Sequence, residues 1–400
     1  MIDIEKISKA KEVICNTVLN QVQDGAQSKE LEDAFACGQF LKVPTAIQRG
    51  LHGTAAAIRV LAGFDSTNNE QLRKLLKYLE NIKEFEKEGE ISDGLERDLN
   101  NIIKNSEILY SLSFIHSGTA NTEKLKEIIS TKLIDSKKND GGWAYFLDAD
   151  EDSDMYFTSS VYLALRSHNY NNLQSTREFL IEKLKKYKKE NIPDPTTYSK
   201  LCFIVYTFIT LNEHKKSKEI KKLLVDVFKK LWKSEFCVID SDFEQNIEYP
   251  GKQKHYYVRI PWQLYLLAIA NNLVPRYFAQ RKSISRFNSI IKSITNEDGF
   301  IYKQSGKNIS SRTYSIIFET LCSIEQSFKL NWKFYFRNAY DWIRSLFKSR
   351  IFKNLASIIG AILIIIALFN TDYSTLSYSD IVPSIIASLL IVLVQTSKKG

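Results

Sequence analysis

Six strongly apolar stretches punctuate this chain, each following a turn-rich segment. They begin near Thr54, Asn101, Thr158, Tyr198, Trp262 and Thr313. Thr54-Ala-Ala-Ala-Ile-Arg-Val-Leu, Thr158-Ser-Ser-Val-Tyr-Leu-Ala-Leu and Gln263-Leu-Tyr-Leu-Leu-Ala-Ile-Ala are typical. Apolar on nearly every side, such stretches predict helices buried all round. Between them, segments 70–84, 124–133, 176–189 and 215–233 are Lys-rich with a single apolar stripe, the pattern of helices with one solvated face. The unit recurs at intervals of roughly 40 to 64 residues. The expectation for residues 1–340 is an all-α fold, a ring of about six helical hairpins with buried helices inside and amphipathic ones outside.

The last fifty residues follow another pattern. Residues 355–369 carry no charge, and a second apolar run covers 381–394. At 1.5 Å rise per residue the first helix spans about 22 Å, or about 28 Å from Ile351. A bilayer core of roughly 30 Å makes both spans short. Residues 354–397 are expected to form a transmembrane hairpin, with 341–353 as a basic and aromatic juxtamembrane segment. Arg344, Lys348, Arg350 and Lys353 precede the first run and Lys398 and Lys399 follow the second, whereas the loop 370–380 has no Lys or Arg. Positive flanks stay inside. Both ends are therefore expected in the cytoplasm, in a two-pass protein of the bacterial inner membrane. Small residues four apart, Ala356 with Gly360 and Ser384 with Ser388, let such helices pack closely and predict a homo-oligomer in lipid.

Composition fits a folded body: 44% of residues are hydrophobic, 25% charged, and only seven are proline. Five cysteines, an odd number without close pairs, suit a reducing compartment. A net charge of +9 favours anionic partners.

Two turns carry a signature. Asn139-Asp-Gly-Gly-Trp-Ala-Tyr-Phe precedes Asp154-Met-Tyr-Phe-Thr-Ser-Ser-Val, and Glu297-Asp-Gly-Phe-Ile-Tyr precedes Ser310-Ser-Arg-Thr-Tyr-Ser-Ile-Ile-Phe. Asp-Gly supplies a tight turn, and the aromatic packs between hairpins. These turns resemble the repeats of terpenoid and squalene cyclases and of protein prenyltransferase β subunits, although Ser136, Lys137 and Lys138 stand where the family carries glutamine. The resemblance implies an α/α toroid. Class II cyclases protonate an alkene with an Asp-x-Asp-Asp motif, and the matching region here is Asp148-Ala-Asp150-Glu151-Asp152-Ser-Asp154. On that reading Asp150, Asp152 or Asp154 would be the acid of an isoprenoid enzyme. The alternative is an acidic loop that caps the helix at Phe157, or that holds Mg²⁺ or Ca²⁺. Prenyltransferases bind zinc through Asp, Cys and His, and Cys237, Asp240 and His255 are the matching types, at a different spacing. No P-loop, dinucleotide fingerprint or nucleophile elbow occurs.

The segments leading into the apolar helices combine basic and aromatic residues: Arg49 and His52; Tyr198 and Lys200; His255, Tyr257, Arg259 and Trp262; Arg312 and Tyr314. In a toroid these helix N-termini gather at one end of a central cavity, where they favour anions. The expected ligand is an anionic small molecule or short oligonucleotide, supplied by a partner enzyme. A cytoplasmic recognition domain joined to a two-helix module is similar in layout to membrane effectors of bacterial anti-phage systems, among them the Hailong channel. That layout implies a ligand-controlled pore. The second reading is a membrane-tethered cyclase or prenyltransferase-like enzyme, and the third a scaffold without chemistry.

Overall fold

The computed structural model describes residues 4–20, 22–24, 35–37, 51–64, 70–80, 101–115, 118–145, 147, 152–238, 242–249, 252–259, 262–278, 280–295 and 311–330. All lie in a compact unit, Met1–Leu330, which is separate from a second unit, Asn331–Gly400. Among the described residues no helix is long and apolar enough to cross a membrane. The expected hairpin at 354–397, its packing residues Ala356, Gly360, Ser384 and Ser388, and the segment 341–353 lie outside the described residues.

The fold is dominated by helices. The six apolar stretches become α2 (Leu51–Phe64), α4 (Ile102–Leu112), α6 (Met155–Ser167), α8 (Pro195–Thr210), α11 (Trp262–Leu273) and α14 (Ser311–Leu330). Each packs against the next, and α14 packs against α2, so they close a ring. Starts are fixed by side-chain caps. Asn101 accepts from the Ile103 and Lys104 amides, Asp154 from Tyr156 and Phe157, and Asp194 from Thr197 ahead of Pro195. The amphipathic segments become α3 (Glu70–Glu80), α5 (Ala120–Asp135), α7 (Gln174–Lys189) and α10 (Lys218–Lys233) outside this ring. The short helices α9 (Glu213–Lys216) and α12 (Pro275–Phe278) link inner to outer elements, and α13 (Arg281–Thr295) continues the outer layer.

The outer layer is completed by the N-terminus. Helix α1 (Ile4–Leu19) packs on α14, α13 and α2 and buries Ile7, Ala10, Ile14 and Val18 fully. Lys11 reaches Glu325 at 2.5 Å, which joins the two ends of the unit.

Neighbouring inner helices run parallel. From α2 to α4 the contacts advance from His52–Glu107 to Arg59–Tyr110. From α4 to α6 they advance from Ser106–Ser160 to Leu109–His168. Their N-termini therefore share one end of the ring.

Two antiparallel hairpins depart from the all-helix expectation. One pairs β1 (Val22–Asp24) with β2 (Phe35–Cys37). The other pairs β3 (Asp242–Tyr249) with β4 (Lys252–Arg259), Asp242 opposite Arg259 and Tyr249 opposite Lys252. Strand β4 also approaches α14.

The Asn-Asp-Gly-Gly-Trp segment shows why its sequence is needed. Gly141 has φ +86°, and a Cβ there would lie 2.6 Å from the Ser175 backbone. Trp143 is fully buried and donates from Nε1 to the Leu133 carbonyl at 2.7 Å, while its amide donates to Thr158 Oγ1. The indole thus fastens the end of α5 to the start of α6.

Candidate functional site: an ionised cavity on the ring axis

Each inner helix turns a short stripe of side chains toward the ring axis. Helices α6 and α14 do so with the same i, i+4, i+7 spacing: Tyr156, Ser160 and Leu163 on one, Arg312, Ile316 and Glu319 on the other. Arg59 of α2, Ser106, Glu107 and Tyr110 of α4, Phe203 and Tyr206 of α8, and Tyr265 of α11 complete the wall. The empty volume between them is about 410 Å³, counting the part open to solvent.

Nearer the helix N-termini, Glu107 is the hub. Its Oε2 lies 2.8 Å from His52 Nδ1, and its other oxygen is ion-paired with Arg312 Nε. A carboxylate only accepts, so Nδ1 of His52 carries the proton. Arg312 also donates to the Tyr156 hydroxyl. Burial would raise the Glu107 pKa, but Arg312, His52 and Arg59 hold it down at about 2. Burial lowers the pKa of His52, against the pull of Glu107, so the ring is favoured neutral.

One to two turns further along, Arg59 meets Glu319. Arg59 Nη1 is 3.1 Å from Glu319 Oε1, an ion pair whose alignment falls short of a hydrogen bond. The Tyr110 ring centroid lies 5.8 Å from the Arg59 guanidinium carbon, and its hydroxyl interacts with Glu319. Burial raises the Glu319 pKa, and Arg59 and Tyr110 offset only part of that. The pKa values of the two cavity carboxyls are thus pushed in opposite directions, Glu107 down and Glu319 up. Nε and Nη2 of Arg59 are buried without a hydrogen-bond partner.

Between these charges the wall is aromatic. Phe203 lies 4.8 Å from Tyr156 and Tyr206 lies 4.5 Å edge-on from Tyr265, centroid to centroid. Tyr156, Tyr206 and Tyr265 all have their phenol pKa raised, chiefly by burial.

Of the residues singled out in the sequence, the structure brings His52 and Arg312 together on Glu107. Lys200 instead pairs with Asp154. Tyr198 and Tyr314 are buried on α8 and α14 and are absent from the cavity wall. His255, Tyr257 and Arg259 take alternate positions of β4, opposite Asn246, Glu244 and Asp242, and Trp262 opens α11. Arg49 and Asp150 lie outside the described residues, Asp152 is exposed, and Asp154 is the α6 cap. Among the described residues no group of three or more His, Cys, Asp or Glu could hold a metal ion; Asp240 is not described.

Arg59, Glu107, Tyr110 and Glu319 were not singled out in advance. A signal exists in the sequence: Arg59, Glu107 and Glu319 are charges set among apolar neighbours in helices read as buried on every side. No protein-family model and no curated protein sequence matches this chain.

Proposed function

We propose that residues 1–330 form the recognition domain of a membrane effector. In this reading an α/α toroid of the cyclase-like kind binds an anionic, nucleotide-like ligand in its axial cavity. The ligand governs a two-helix hairpin at 354–397 that assembles with its copies into a pore, in the manner of anti-phage effectors. The observation that carries this reading is the cluster of charged side chains lining the cavity at the centre of the ring, Arg59 and Glu107 buried and Arg312 and Glu319 half-buried. Burying so many charges is expensive for a purely structural core. Two of them, Arg312 and Glu319, sit on α14, the helix that ends at Leu330, next to the C-terminal segment. A change in the cavity therefore has a short path along the chain to residues 331–400.

The test is dye release from liposomes carrying the purified full chain, with and without a panel of nucleotides. Ligand-dependent release is expected, together with growth arrest on expression. Truncation after Arg350 should abolish both and leave ligand binding intact. Full toxicity of the truncated chain would remove the hairpin from the mechanism.

A second reading, a membrane-tethered isoprenoid enzyme, is favoured by the aromatic wall of Tyr156, Phe203, Tyr206 and Tyr265. Asp154→Asn separates the two, because Asn keeps the helix cap and removes the acid. The enzyme reading needs conversion of a prenyl diphosphate or polyene to stop in Asp150→Asn or Asp154→Asn. The effector reading needs dye release to persist in both.

A further inference from the structure

We propose that the Nε–Nη2 edge of Arg59 is the oxyanion seat of the axial cavity, and that Glu319 on α14 is the group that competes with the bound anion. The inference rests on the ligand-binding half of the function proposed above and is independent of the pore.

The guanidinium is planar and presents its donors as forks, each matched to two oxygens of a phosphate or carboxylate. In Arg59 one nitrogen, Nη1, faces Glu319 at 3.1 Å. The other two, Nε and Nη2, form the side-on fork, and both are buried without a hydrogen-bond partner. The residue is only 4% exposed and lines the cavity, and no protein group accepts from this fork. A buried donor pair left unmade is costly, and an oxyanion satisfies both donors at once. Tyr110 lies against the guanidinium and interacts with Glu319, so it touches both members of the pair.

An oxyanion on this fork brings a second negative group to the guanidinium that already faces the Glu319 carboxyl. Like charges that close disfavour one another, so the anion favours Glu319 in its protonated or withdrawn form. Binding is thereby coupled to α14. The rest of a ligand would lie along Tyr156, Phe203 and Tyr265, whose rings offer stacking faces for a planar base. The shared chemistry is a phosphate or carboxylate group, and the size of its carrier separates the sources.

Isothermal titration of the full chain in detergent micelles with inorganic pyrophosphate, adenosine monophosphate and succinate tests this. At least one of the three should bind the wild type. Arg59→Lys keeps the charge but loses the fork, and should weaken that binding at least tenfold. Glu319→Gln removes the competing charge at constant shape and should tighten it severalfold. Tighter binding of the nucleotide than of pyrophosphate supports a phosphate seat with a base on the aromatic wall; binding of succinate alone supports a carboxylate seat. Binding of none of the three to the wild type overturns the seat, as does wild-type affinity in Arg59→Lys. Weaker binding in Glu319→Gln overturns the competition. Anion binding that obeys these rules without any dye release would strike the pore alone, and dye release by a nucleotide that Arg59→Lys binds normally would strike the seat alone.

Discussion

Glu107 is the residue on which most of the cavity's electrostatics turn. It is nearly fully buried and answers both His52 and Arg312. Removing one partner of a buried pair leaves the others unpaired, at a cost of about 3–5 kcal/mol. Glu107→Ala should lower stability by that amount in urea titrations at pH 7, a large share of any domain's total. The pH dependence has a definite sign. Because its folded pKa lies near 2, below the ordinary 4.5, Glu107 contributes stability that is present above 4.5 and lost as pH falls toward 2. Glu319 behaves in the opposite way. Its raised pKa means a contribution present below 4.5 that is lost as pH rises through the folded value. Urea midpoints from pH 2 to pH 7 should therefore lose their acid limb in Glu107→Gln, and in Glu319→Gln they should lose the decline with rising pH that the raised carboxyl imposes. At this scale the sequence was partly legible. His52 and Arg312 stood out because they lie at helix entrances beside aromatics. Arg59, Glu107 and Glu319 were hidden because periodicity counts apolar neighbours and is blind to a single charge among them.

At the scale of elements, what could be read was whatever one turn and one stripe determine. The six inner helices were visible because each combines a turn signal with an apolar run long enough to exclude a buried strand. The outer helices were visible from their single stripe. The ribbon of β3 and β4 was not, although Pro250-Gly251 is a turn dipeptide and Asp-Phe-Glu-Gln-Asn-Ile-Glu-Tyr alternates. Its charged and aromatic residues also fit the entrance of α11, and that pattern masks the period of two. The signature turn itself does what its residues require. Trp143→Ala removes a fully buried indole and its bond to Leu133, and should cost about 3–5 kcal/mol. Gly141→Ala meets both a positive φ and the Ser175 backbone, and should lower the melting temperature more than Gly→Ala at a surface helix position. Thermal melts followed by circular dichroism measure both.

For the whole unit, closure is the decisive feature. Helix α14 has α11 on one side and α2 on the other, and α1 covers it from outside. Deleting residues 1–20 should expose the apolar face of α14 and cost the unit its cooperative melt; limited proteolysis should then cut within 311–330 before any other helix. The milder Lys11→Ala removes a partly buried ion pair and should shift the midpoint by only about 1 kcal/mol or less. Sequence patterning supplied the six inner helices and four of the outer ones but not how the ends meet, since no local pattern encodes that residue 11 will find residue 325. That same seam sets an order of events during synthesis. Lys11 and Glu325 are 314 positions apart, so the loop they close is almost the entire unit. Such a closure is slow, because its entropy is lost before its contacts form. While the chain is being made, α1 has only α2 to pack on, and the rest of its apolar stripe waits until α13 and the final inner helix have emerged from the ribosome. By then the apolar C-terminal segment is the next thing to appear, so the ring closes as its hydrophobic tail arrives. Nascent α1 is the natural place for a chaperone to hold this protein.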